Sequence, residues 1–167
     1  MVASLKFTMP ELCCRHSFPI MVVLNPFLEH ALDFTALTNL MWLMCPHLNE
    51  RIHALESEGL VSEIGKLVKQ SPSYSNSMKR AHAEFALLRL KMCGNKLDDA
   101  HFFNSFSKVF NTGIGGIRDI EKVKCLHIHY IHSLICRHNV VGKIVSKLLD
   151  NDISCSKIIC CNTKIST

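Results

Sequence analysis

Residues 123–138, VKCLHIHYIHSLICRH, bring two cysteines and four histidines into one short segment. Thiolate and imidazole groups are ligands that zinc accepts readily, and a cysteine beside a histidine can also act as a nucleophile with its base. Side chains three or four positions apart share one face of a helix. Helical spacing therefore groups Cys125 with His129 and His132, and it leaves His127 among the apolar side chains.

A fourth ligand for such a group would have to come from elsewhere in the chain. Cys136 lies on the same helical face, but about 16 Å from Cys125 along a helix axis, so the two thiols cannot share one ion. Cys45 stands between an apolar segment and Pro46, where a helix can begin. We expect Cys45 to be the remote donor.

Other interpretations of these residues stay open. Buried cysteines behave as small apolar residues, and lone histidines often only pack. Lys124 and a helix start could instead activate Cys125 as a nucleophile, with a nearby histidine as its base. The glycines of TGIGGIRD, residues 112–119, could approach a phosphate, but the lysine and the spacing of a P-loop are missing. These glycines fit a hinge that orients the following helix better.

The elements that must position these side chains are a small sheet and several helices. Apolar runs at 18–24 and 38–44 each end before a proline and predict two neighbouring strands. From Pro46 onward, apolar residues recur at helical spacing. The periodicity predicts four to six helices, drawn from the segments 46–58, 60–71, 78–92, 97–111, 119–137 and 139–149. The fold class is therefore α+β, mainly helical, with a two- or three-stranded sheet near the N-terminus.

Composition indicates one domain of ordinary globular character. Apolar residues make up 48% and charged residues 20% of 167 residues. We expect a single domain over 14–150, preceded by an arm over 1–13 and followed by a polar, cysteine-containing tail over 151–167. The net charge of +5 comes from scattered lysines and arginines, which leaves nucleic-acid binding as a minor alternative.

The compartment is suggested by the cysteines and by the apolar runs. No apolar stretch reaches the ~18 residues that span a bilayer, so no membrane association is expected. Nine cysteines are an odd number and no export signal accompanies them, which favours reduced thiols and the cytoplasm.

Several segments resemble those of an uncharacterised bacterial family, domain of unknown function 501. These segments are CRHSFP (14–19), NLMWLMCP (39–46), LESEG (55–59), AHAEF (81–85), GGIRDIEKVKCLHIH (115–129) and NVVG (139–142). The resemblance implies Cys14, Cys45, Cys125 and His127 as ligands, with His82 and His132 as further candidates. It implies no reaction, because the family has none assigned.

The combined ligand prediction is Cys14, Cys45, Cys125, His127, His129 and His132. Soft thiolate and imidazole donors favour zinc over magnesium or calcium, and iron is a weaker alternative. Cysteine-rich ligation is typical of structural zinc, so we interpret the chain as a structural or interaction module with a protein partner. The alternatives are a metal- or thiol-dependent enzyme that uses Cys125 and a neighbouring histidine, and a weak nucleic-acid-binding protein.

Overall fold

The computed structural model describes residues 12–14, 16–24 and 34–150. Most of the predicted arm and the whole predicted tail, 151–167, lie outside these ranges. Within these ranges, 68% of the residues are helical, and the structure contains seven helices and a two-stranded antiparallel sheet. The predicted fold class is confirmed. None of the helices in the described part of the chain is long and apolar enough to cross a membrane.

Three of the seven described helices end before residue 72, and four begin at or after it. In chain order they are α1 (Phe34–Asn39), α2 (Pro46–Ser57), α3 (Leu60–Gln70), α4 (Pro72–Cys93), α5 (Ala100–Phe110), α6 (Leu126–Ser133) and α7 (Val140–Leu148). Short 3-10 segments cover Gly94–Asp98 and Ile114–Gly116.

The sheet pairs β1 (Met21–Val23) with β2 (Met41–Leu43), and Val22 lies opposite Trp42. The predicted neighbouring strands are therefore confirmed, but both are shorter than the predicted runs 18–24 and 38–44. Residues 38 and 39 belong to α1 instead, and Leu40 has a φ of 59° where the chain leaves the helix. A left-handed residue ends helical hydrogen bonding and turns the chain into the strand.

Helices α2 and α3 begin and end close to where the sequence predicts, whereas α4 begins at Pro72, six residues before the predicted segment 78–92. Proline occupies the first helical position of both α2 and α4, where its missing N–H costs no hydrogen bond. Gly59 has a φ of 87° between α2 and α3. Ser71 caps α4 by accepting a hydrogen bond from the backbone N–H of Tyr74 at 3.3 Å. These local signals agree with the apolar periodicity.

The helix predicted from Asp119 starts later and ends earlier than expected. It is α6, which begins at Leu126, because Cys125 is extended with φ −149° and ψ 126°. Residues 122–125 have no regular structure. Helical spacing therefore does not apply between Cys125 and the histidines that follow it.

Helix α6 lies in the centre of the core and packs against α7, β2 and α2. Leu126 and Val141 are completely buried, and Tyr130 is almost so. Gly142 lets α7 approach α6 closely, because a Cβ there would overlap the backbone of His129 and the side chain of Ser133. The core thus fixes the position of the histidine-rich segment.

Candidate metal centre

Cys125 and His127 lie together at the start of α6. Cys125 is the residue before the helix, and its extended backbone turns the thiol back toward the first helical turn. The Sγ atom lies 3.7 Å from Nδ1 of His127. The two donors therefore face one point although they are only two positions apart.

A third donor reaches this point from the last turn of α2. Oε1 of Glu56 lies 3.2 Å from Nδ1 of His127. The same oxygen accepts a hydrogen bond from the backbone N–H of Leu126 at 2.6 Å, so it also caps α6. Ligand atoms of Glu56, Cys125 and His127 all lie within 4.8 Å of one another, which is close enough for one metal ion. We call these three residues the triad.

The environment of His127 favours its protonated form when no metal is bound. The contact with the Cys125 thiol is the main cause, and the Asn49 carbonyl and the Glu56 carboxylate add to it; together they raise the pKa of His127 to about 9. Nε2 of His127 lies 3.2 Å from the backbone oxygen of Asn49. That hydrogen bond directs Nδ1 toward the other two donors.

A cavity of about 390 Å³ adjoins the triad. Cys125 and His127 line it, and the rest of its wall includes apolar side chains of β2 and α6 such as Met41 and Ile128. Trp42 also lines the cavity and is 53% exposed. Small-molecule sites are usually concave and mostly apolar with a few convergent polar groups, and this cavity has that character.

Cys14 and Cys45 lie in the core and do not join the triad. Both are buried, with 7% and 1% of their surface exposed. Cys45 precedes α2 and Glu56 lies in its last turn, so the two positions are about 16 Å apart along the helix axis. Ligation by Cys14 or Cys45 stays a prediction, and the grouping of donors gives it no support.

His129 and His132 are buried on either side of Asn139. Nδ1 of His129 lies 3.2 Å from the side-chain oxygen of Asn139, and the amide nitrogen of Asn139 lies 3.1 Å from Nδ1 of His132. Burial lowers the pKa of His129 to about 3 and that of His132 to about 4. Both rings are neutral components of a buried polar network, and their ligation of a metal stays a prediction.

His82, the further candidate from the resemblance, belongs to the same buried region. Its ring meets that of His129 edge to face at 6.1 Å. Nδ1 accepts a hydrogen bond from the backbone N–H of Ile114 at 3.1 Å, and burial lowers the pKa of His82 to about 4. Gly113 passes so close that a Cβ would overlap the imidazole. His82 thus holds the glycine-rich segment against α4.

A second grouping consists of Glu84, Cys136 and His138. The Cys136 thiol donates to Oε2 of Glu84 at 2.6 Å, and Nδ1 of His138 lies 2.6 Å from Oε1. Burial and the hydrogen bond to Glu84 raise the pKa of Cys136 to about 11. A metal requires the thiolate, so this protonated thiol is a poorer ligand.

Sequence spacing missed Glu56. A carboxylate near the end of an amphipathic helix has the same pattern as a solvated surface residue, so periodicity gives no reason to select it. Glu56 lies in the LESEG segment, residues 55–59, which is one of the segments that resemble the family. That resemblance is the sequence feature that could have pointed to Glu56.

Comparison with known protein families supports the resemblance seen in the sequence segments. The family model described as "Protein of unknown function (DUF501)" matches residues 11–147. The chain belongs to this family. The match covers α1 to α6 and almost all of α7, so the triad and its cavity lie within the family's domain. Comparison with curated proteins and comparison with solved structures both give no match.

Proposed function

We propose that the triad binds a transition-metal ion, with zinc favoured over iron, and that this ion acts on a small molecule held in the adjoining cavity. The observation that carries the proposal is the convergence of three donors, one from α2 and two from the start of α6, beside a concave, largely apolar wall. Thiolate, imidazole and carboxylate together suit zinc.

The surroundings of the triad support ligation. When a histidine binds a metal, its other ring nitrogen usually donates to a carbonyl or a carboxylate, which fixes the ring. Nε2 of His127 has such a partner in the Asn49 carbonyl. The carboxylate of Glu56 is likewise held by the N–H of Leu126. A cation between the three donors would contact all of them at once.

The number of donors favours a catalytic site over the structural module that the sequence suggested. Structural zinc has four protein ligands, whereas catalytic zinc keeps three and leaves a position for water or substrate. Within the ranges 12–14, 16–24 and 34–150, the group contains three donors. A metal with an open position can polarise a carbonyl or phosphoryl oxygen and activate water. We therefore favour a metal-dependent enzyme of hydrolytic type.

A second candidate is a thiol enzyme without metal. The 3.7 Å contact between Sγ of Cys125 and Nδ1 of His127 is the geometry of a nucleophile and its base. In this case, iodoacetamide should alkylate Cys125 of metal-free protein readily, and His127→Gln should slow that alkylation without changing the slow alkylation of Cys136. Without metal dependence, such a result would favour this candidate.

Elemental analysis of untagged protein tests the metal proposal. Wild-type protein should carry about one zinc or iron per chain, because the triad offers a single site. Cys125→Ser and Glu56→Gln should lose the metal, and Glu56→Gln keeps an oxygen that can still accept from Leu126. Cys136→Ser and Glu84→Gln are matched controls from the second grouping and should retain the metal.

Two outcomes would reject the metal proposal. One is folded wild-type protein that has never met a chelator and holds less than about a tenth of a metal per chain, well below the single equivalent expected. The other is equal metal loss from the triad variants and from the controls. Circular dichroism of every variant shows whether a loss reflects unfolding.

A further inference from the structure

A second, larger cavity of about 570 Å³ adjoins the one at the triad. Asn39, Gly115 and Lys124 line both cavities, so the two share a wall. Lys124 directly precedes the triad thiol of Cys125 in the chain. A ligand in the larger cavity would therefore lie close to the triad.

The larger cavity is lined by basic side chains from three parts of the fold. Lys108 comes from the last turn of α5, Arg118 lies in the glycine-rich segment 112–119, and Lys124 precedes α6. Ser105 adds a hydroxyl group, and no carboxylate lines this cavity within the described residues. Cations around a concave surface reinforce one another's positive potential and attract anions.

The basic side chains keep hydrogen-bond donors that a ligand could use. Within residues 12–14, 16–24 and 34–150, Lys108 and Arg118 form no salt bridge. Nζ of Lys124 donates to the Gly115 carbonyl at 3.3 Å, which uses one of its three hydrogens. The guanidinium of Arg118 can form the paired hydrogen bonds that phosphate oxygens accept.

Glycine keeps the wall of this cavity open. Gly115 and Gly116 have φ values of 67° and 76°, in the left-handed region that favours glycine. A Cβ on Gly116 would lie 3.3 Å from Cγ2 of Thr38, another residue of the wall. The TGIGGIRD segment lacks a P-loop lysine in sequence, but the fold brings Lys108 and Lys124 to it in space.

We propose that this cavity binds the phosphate group of a small phosphorylated molecule. That this molecule is also the substrate rests on the proposed function of the triad. With its phosphate in the larger cavity, its reacting group would lie in the adjoining cavity beside the triad. Both volumes lie in the range of small-molecule sites, about 300–1,000 Å³. Three basic side chains around one concave wall suit such a ligand better than an extended nucleic acid, which needs a continuous basic stripe.

Titration calorimetry with inorganic pyrophosphate, on metal-free protein at low salt, tests the anion site. The double variant Lys108→Ser/Arg118→Ser should bind pyrophosphate at least about tenfold more weakly, which corresponds to a total loss of about 1.4 kcal/mol from the two removed cations. Lys66→Ser/Lys69→Ser is the control, because it removes the same charge from another cleft, lined also by Glu121. The control should bind like wild-type protein.

Several outcomes would overturn the anion site. Absence of pyrophosphate binding to folded wild-type protein is one, and equal weakening in the two double variants is another, because it would show attraction to net charge alone. Stronger binding of a single-stranded oligonucleotide that displaces pyrophosphate would assign the basic groups to nucleic acid instead.

The Cys125→Ser variant separates this proposal from the metal proposal. It should lose the metal and still bind pyrophosphate, because the basic side chains are unchanged. Loss of metal-free pyrophosphate binding in this folded variant would count against a separate anion site. Failure of the metal experiment with retained pyrophosphate binding would leave the anion site in place and reject only the chemistry assigned to the triad.

Discussion

Replacing Arg89 with methionine should strongly destabilise the fold, because this buried arginine joins three segments. Its side chain is completely buried in α4. Nε donates to the Leu37 carbonyl at 2.8 Å, and Nη1 donates to the carbonyls of Thr112 at 2.7 Å and Val109 at 3.0 Å. Burial lowers the pKa of Arg89 to about 10, so it stays protonated at neutral pH.

The size of the stability loss in Arg89→Met depends on which carbonyl oxygens lose their hydrogen-bond donor. Val109 O also accepts from the backbone N–H of Thr112 at 2.9 Å, and it stays satisfied. Leu37 O and Thr112 O have Arg89 as their recorded donor within the described part of the chain. A buried acceptor without a partner costs about 1–3 kcal/mol, and removing a buried charge recovers part of that. We expect a loss of about 3 kcal/mol in the free energy of unfolding.

Urea unfolding of Arg89→Met, beside Arg80→Met, measures this loss. Arg80 is exposed on the same helix, and its replacement should change stability by less than about 0.5 kcal/mol. A loss below about 1 kcal/mol in Arg89→Met, or equal losses in both variants, would refute the reasoning, because the unsatisfied carbonyls would then have found other donors.

Two further predictions concern the buried histidines and the glycines. His82 and His132 have pKa values of about 4 in the fold, below the ordinary 6.5, so the unfolded chain binds more protons as pH falls from 6.5 toward 4. In urea unfolding, the free energy of unfolding should be about 1–2 kcal/mol lower per histidine at pH 5 than at pH 7. The same urea midpoint at both pH values would contradict the view that burial lowers these pKa values. Gly113→Ala should destabilise by about 1–3 kcal/mol because its Cβ would overlap the His82 ring, whereas Gly65→Ala, with open space in α3, should stabilise by up to about 1 kcal/mol in the same assay.

The parts of the fold that the sequence predicts well are those in which local signals agree. In α2 and α3, apolar periodicity coincides with Pro46 and Gly59 at the helix ends, whereas the periodicity of α4 starts at Met78 and misses its first turns from Pro72. In α1 the signals conflict, because residues 38 and 39 are the first two of the β-like run 38–44 and yet are the last two of a helix. Tertiary packing makes that segment helical, and short elements are the ones that packing most often decides.

The candidate site was only partly predictable, because it depends on contacts distant in sequence. The segment 123–138 indicated the thiol and imidazole donor types, and the family resemblance also implied Cys125 with His127. Glu56 lies 69 residues before Cys125 and has no periodic signal. The spacing rule favoured His129, which the structure places in the buried network with Asn139.

The extended backbone at Cys125, just before α6, brings the three donors together. It also explains why helical spacing selected other residues. Two positions on a continuous helix point about 200° apart, so Cys125 and His127 would face opposite sides and could not both meet Glu56. With Cys125 extended, the thiol and the imidazole converge at 3.7 Å. The same extended backbone leaves Lys124 on the wall shared by the two cavities. One local departure from helical structure therefore brings the triad and the basic cavity together.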